Sequence, residues 1–238
     1  MKINNYSVLN TKTNIRKKNS YKILDKKFSF NVRGMTEKKI VKKVFLMIKK
    51  YYSQILESGI NIPKIENISL RSNKIICSMN YEGKNLIEKK FNYSNVQLFS
   101  KYLDKIFEII KLAKKNKIKI DPHIKNFVIN SQNQVFYVDI FPPYCKEYET
   151  LRELFYQTAE EKKICNQNFT FFNSSNLFYH FVSDIIKIDI RFHNKIDFFY
   201  KKLRKIKAIN SSKSFFKKKV IQIMKIEKLR IKKKYFLA

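Results

Sequence analysis

The chain has 238 residues, 44% of them hydrophobic, which is long and apolar enough to bury a core in one domain or two closely joined lobes. It carries no run of about 18 apolar residues and opens on a polar, basic stretch, so a membrane-spanning helix is excluded and a cytoplasmic location is expected. The formal charge of +32 is compatible with binding to nucleic acid or to an anionic membrane. Heavy use of Lys, Asn, Ile, Phe and Tyr, with no Trp, instead favours compositional drift toward A/T-rich codons.

Residues 6–23 read as a first hairpin with TKTN as its turn. In KKFSFNVRG, Phe28, Phe30 and Val32 alternate with Ser29, Asn31 and Arg33, the pattern of a half-buried strand. Residues 36–58 are helical: Thr36 is a fair N-cap, and Ile40, Val41, Val44, Phe45, Ile48, Tyr52 and Ile55 recur at three- and four-residue spacing. Gly59 is a natural stop, and GINIPKI leads into another strand. An apolar strand then runs from residue 75 into Met79-Asn80-Tyr81-Glu82-Gly83.

Residues 94–116 carry the clearest apolar stripe, from Val96 to Ala113, and predict a helix. Ile118 and Ile120 suggest a short strand. Asp121 follows at once, held out of helix by Pro122. FVIN and VFYVD, separated by the polar SQNQ, form a hairpin that brings Asp139 back toward Asn126. The remainder predicts helices over TLRELFYQTAEEKK, SNLFYHFVSDIIKIDIRF, NKIDFFYKKLRKIKAI and the Lys-rich tail from Ser212. Cys77, Cys145 and Cys165 have no paired spacing and read as reduced thiols, and the three His and three Cys form no zinc pattern.

An Asp, an Asn five residues on, and a second Asp after a hairpin suit phosphoryl transfer, in which hard oxygen ligands hold magnesium and a carboxylate orients the attacking hydroxyl. Asp121, His123, Asn126 and Asp139 resemble the catalytic core of the protein-kinase-like phosphotransferases. The pattern Asp-x-His-x-x-Asn, hairpin, Asp is closest to the aminoglycoside and choline kinase branch. The resemblance implies an α+β, two-lobed fold, with a small lobe over residues 1–82 and a helical lobe over 83–238. It implies ATP and magnesium as cofactors and a hydroxyl-bearing acceptor that the sequence does not identify. Asp121 would be the catalytic base, His123 would support the loop, and Asn126 and Asp139 would hold the metal. Met79 and Tyr81 would flank the adenine at the hinge. The phosphate-binding cation of the small lobe would be Arg33, with Lys22 as the second candidate, and Glu37 or Glu57 would be the helix partner.

The chain also departs from that pattern. Lys119 stands where a His usually precedes the Asp, Ile140-Phe141-Pro142-Pro143 follows Asp139 without a Gly, and no Gly-rich loop is present. A catalytically degenerate, kinase-like binding protein therefore stands as one alternative. A basic nucleic-acid-binding protein is another.

Overall fold

The computed structural model describes residues 9–18, 21–30, 37–71, 74–140, 143–153 and 175–236, and the fold is α+β. Strands β1 (Leu9–Lys18) and β2 (Tyr21–Phe30) pair antiparallel, and helix α1 (Glu37–Glu57) leads to β3 (Ile65–Arg71) and β4 (Lys74–Asn80). The resulting sheet has the order β1-β2-β4-β3. A second sheet joins β5 (Lys84–Asn85) to the hairpin β6 (Phe127–Ile129) and β7 (Val135–Tyr137). Among the described residues, the helices that follow β4 are α2 (Ser100–Lys115), α3 (Lys146–Glu153), α4 (Leu177–Ile188), α5 (Ile196–Lys205) and α6 (Lys213–Phe236).

Register in the first sheet is fixed from its interior. Asp25 is buried and accepts from Ser78 Oγ on β4 at 2.6 Å and from Arg16 Nε on β1 at 2.8 Å. Burial opposes ionisation of this carboxyl, but those two bonds outweigh it and hold its pKa below the ordinary value. A slip of one residue would break both bonds and turn every β2 side chain to the wrong face. The network therefore also fixes which face the neighbouring Lys26 presents.

Two expectations for this half change. TKTN is not a turn: Thr11 to Asn14 lie inside β1, opposite Phe28 to Asp25, because alternating Thr11, Thr13 and Ile15 suit a strand. Tyr21 to Leu24 and Lys26 to Phe30, read as two pieces, likewise lie in one continuous strand. Helix α1 follows its predicted span, burying Ile40, Val41, Val44, Ile48 and Ile55, although Tyr51 rather than Tyr52 is its fully buried tyrosine. Gly59, at φ +76°, ends it. The predicted N-cap Thr36 lies outside the described residues.

Helix α2 starts six residues later than its apolar pattern predicts. Asn92 Oδ1 accepts from the backbone N–H of Ser94 and Asn95, and Asn95 Oδ1 accepts from that of Asn92. These side chains offer the backbone a turn in place of a helix. Residues 118–120 form no strand. Helix α3 begins at Lys146, ahead of the predicted Thr150, and most of TLRELFYQTAEEKK lies outside the described residues. Helix α4 ends at Ile188, because Asp189 turns extended and its side chain caps the 3-10 helix Ile190–Lys195. Helix α6 packs on α4 through Phe216, Val220 and Ile223, with Phe216 against the Tyr179 ring at 5.5 Å. Among the described residues no helix is long and apolar enough to cross a membrane.

The link from β4 into the second sheet depends on Gly83. Its φ is +128°, and a Cβ there would lie 2.4 Å from the backbone oxygen of Ile129. Backbone cannot yield as a side-chain tip can. Gly83→Ala is expected to destabilise the fold by roughly 2–4 kcal/mol, measured as a lower urea midpoint at unchanged slope.

Candidate active site

The loop before the hairpin is held by hydroxyls from two directions. Tyr51 of α1 donates to the carbonyl of Lys119 at 2.6 Å, and the backbone N–H of Asp121 donates to Tyr137 Oη on β7 at 3.0 Å. Both tyrosines are buried, and burial is the main reason their pKa values lie well above the ordinary one, so both hydroxyls stay neutral, Tyr51 as donor and Tyr137 as acceptor. Past Pro122 the chain makes the 3-10 turn Ile124–Asn126, and the N–H of Val138 donates to the carbonyl of Asn126 at 2.9 Å. That bond closes the hairpin and delivers Asp139.

The four motif residues converge as expected. Asn126 Nδ2 donates to the carbonyl of Asp121 at 3.1 Å and to Asp139 Oδ2 at 3.4 Å. Asp121 Oδ1 accepts from the N–H of His123 at 3.2 Å and lies 3.5 Å from its Nε2. Tyr144 Oη donates to Asp139 Oδ2 at 3.4 Å. The carboxyl of Asp139 keeps only 18% of its surface open, and burial, with Asp121 adding to it, pushes its pKa up to about 6.

The cation facing Asp139 is one that sequence reasoning missed. Lys26 Nζ lies 3.6 Å from Asp139 Oδ1 and donates to the carbonyl of Val138 at 2.9 Å. Lys22, the predicted candidate, shares the face of Lys26 but sits four residues along β2, roughly 13 Å away. Its ammonium lies over the Tyr81 ring at 6.0 Å, so it is not part of the cluster. Arg33, the first candidate, lies outside the described residues. The error follows from splitting β2 in two, which left Lys26 at the seam between the pieces.

A second missed residue is Asp184 on α4. Its Oδ1 pairs with His123 Nδ1 at 2.8 Å, and its Oδ2 accepts from the N–H of Ile124 at 2.9 Å. Burial opposes its charge, yet His123, Lys187 and the Ile124 N–H together hold its pKa well below the ordinary carboxylate range. For His123, burial works against the cation, and Asp121 and Asp184 overcome it and raise its pKa. Both shifts have the sign of an ion pair. Asp184 lies 63 residues from Asp121 in a helix rich in buried apolar side chains, so no local pattern marks it.

The other expected site residues fall in different places. Met79 is fully buried in β4 and serves the core. The N–H of Tyr81 donates to the carbonyl of Lys22 at 2.9 Å, which ties the residue to β2. Glu57 is exposed and borders a cavity of about 400 Å³ beyond the end of α1, away from Lys26. The Glu37 side chain is outside the described residues. Asp121, Asn126 and Asp139 line neither this cavity nor a second, of about 440 Å³, beside Leu46 and Met47. Converging polar groups define the site among the described residues.

Asn126 fits magnesium through its oxygen, because its hydrogen bonds use Nδ2 and leave Oδ1 for a cation. Asp139 supplies a carboxylate, and a hard cation completes its shell with phosphate oxygens and water. Among the described residues no group of three or more His, Cys, Asp or Glu side chains could hold a metal by itself. No protein-family model and no curated protein matches the chain, so its chemistry is read from these side chains.

Proposed function

We propose that the protein is an ATP- and magnesium-dependent phosphotransferase of the kinase-like kind, acting on a hydroxyl acceptor. The observation that carries this reading is the meeting of Lys26, Asn126, Asp139 and Asp121, from a sheet strand and a hairpin-bearing loop more than ninety positions apart in the chain. The order of parts agrees with two lobes: a sheet with α1 crossing between β2 and β3, a connection over residues 81–83, then helices carrying the loop. In this reading the protein works in the cytoplasm, where ATP is available.

In this reading Lys26 engages the nucleotide phosphates as a point charge. Asn126 and Asp139 hold magnesium, which neutralises phosphate charge when bound. Asp121 accepts the proton of the acceptor hydroxyl as its oxygen bonds to the γ-phosphorus, and the bond to the β–γ bridging oxygen breaks to release ADP. His123, fixed by Asp184, positions the loop and does not touch phosphate.

One observation favours a binding-only alternative. Lys26 pairs with Asp139 itself, and no carboxylate of α1 pairs with Lys26 among the described residues. Nucleotide handling separates the two. Mg-ATP should raise the melting temperature, and the protein should release ADP from ATP. Asp121→Asn should retain the thermal shift and lose turnover by about 10²–10⁴. A thermal shift with no ADP release in the unaltered protein leaves the binding-only reading standing. Unimpaired turnover in Asp121→Asn removes the assigned base.

A further inference from the structure

We propose that the phosphoryl acceptor is an anionic alcohol, one carrying a phosphate or carboxylate group beside its hydroxyl, and that Lys125 selects it; this rests on the phosphotransferase reading above. Lys125 occupies the middle of the 3-10 turn Ile124–Asn126. Both neighbours are buried, at 1% and 7% exposure, whereas Lys125 is exposed, so it faces solvent on the short segment that links the acceptor-side Asp121 to the metal-side Asn126. Its ammonium makes no hydrogen bond or ion pair among the described residues. Its charge still reaches the interior, where it favours the ionised form of Asp139.

The acids near Asp121 are already used. Asp184 is taken by His123, the Ile124 N–H and Lys187, the last at 3.3 Å. Glu149 is taken by Lys119, and Asp139 by Lys26. Asp121 remains, and its task is the hydroxyl. Of the described carboxylates around the Asp121 loop, Asp184, Glu149 and Asp139 are thus closed to a cationic acceptor such as an aminoglycoside or choline. An anionic acceptor meets the opposite obstacle, repulsion from the nucleotide phosphates, unless a cation stands between them. Lys125 is placed for that, and the positive field of the whole chain steers anions toward it. One partly exposed charge pair at contact distance corresponds to about a tenfold preference in affinity.

The test measures binding to the Mg-ADP-loaded full chain, with glucose 6-phosphate, gluconate, glucose, choline and kanamycin as probes. Glucose 6-phosphate or gluconate should bind about tenfold tighter than glucose, and the two arms tell phosphate from carboxylate. Choline and kanamycin should bind no better than glucose. Lys125→Gln should erase the ratio between charged and neutral probes, a ratio in which any general loss of nucleotide affinity cancels. Lys218→Gln removes the same charge from exposed α6 and should leave the ratio intact. Equal or better binding of a neutral or cationic probe overturns the proposal. So does absence of binding by both anions, survival of the ratio in Lys125→Gln, or an equal fall in both variants. Failure of the unaltered protein to bind Mg-ADP overturns the phosphotransferase reading and this proposal together. Failure of the acceptor arms with Mg-ADP bound overturns this proposal alone.

Discussion

Asp139→Asn should melt higher than the unaltered protein at neutral pH and lose its response to Mg-ATP. The two effects have one source. Asp139 titrates at about 6 in the fold against an ordinary value of 3.8, because burial, reinforced by Asp121, disfavours its charge more than Lys26 and Lys125 favour it. A raised carboxyl pKa gives the folded state an advantage that is complete below 3.8 and lost as pH rises through about 6. Above that window the ionised carboxylate costs about 3 kcal/mol at most. Asn keeps the shape without the charge, and its single carbonyl oxygen can still accept on the side of Tyr144 and Asn126 or on the side of Lys26. The stabilisation should therefore appear at pH 7 and vanish near pH 4. Loss of the metal carboxylate removes several kcal/mol of charge stabilisation from phosphoryl transfer, about a thousandfold in ADP release. A variant that melts lower at neutral pH, or that keeps a full magnesium-dependent thermal shift, would remove Asp139 from its assigned role. An activating site built at the expense of stability is the general pattern that this substitution probes.

The legible part of this site is the part encoded within twenty residues. Asp121, His123, Asn126 and Asp139 were readable because a proline, a short turn and a two-strand hairpin set their relative positions by local rules. Lys26 was not, since its role depends on the register of β2 against β4, and that register is set by Asp25, Ser78 and Arg16, three residues on three strands. In a chain with 51 Lys and Arg residues, one functional lysine carries no compositional mark. The start of α2 was misplaced for a different reason: its apolar stripe continues to Val96, but two asparagine side chains capture the backbone first. Periodicity reports which face is buried, and local side-chain bonds decide where the helix begins. Asp184 was invisible because it reaches the loop only through the packing of α4 beneath the turn.

That residue gives the largest expected structural effect. Asp184→Ala removes one acceptor that serves His123 Nδ1, the N–H of Ile124 and Lys187 Nζ at once. Its carboxyl is 15% exposed, so water does not fully replace it. Leaving a largely buried cation and a backbone donor without their partner costs roughly 3–5 kcal/mol. Asp184→Asn retains an oxygen for Ile124 and loses the charge and the acceptor that face His123 and Lys187, which gives the pH test. The raised His123 pKa contributes stability that is complete below 6.5 and disappears as pH rises through the folded value. The lowered Asp184 pKa contributes stability that is complete above 3.8 and is lost as pH falls through the folded value. The ion pair is therefore fully effective between 3.8 and 6.5, and the stability gap between the unaltered protein and Asp184→Asn should be widest there. Asp139 titrates in both proteins and cancels from the difference. Urea unfolding at about pH 5.5 and about pH 9 measures the gap at its widest and on the side toward which His123 loses its proton. A gap that does not narrow at the higher pH would mean that Asp184 acts as a neutral hydrogen-bond acceptor, and that His123 carries no charge in the working loop.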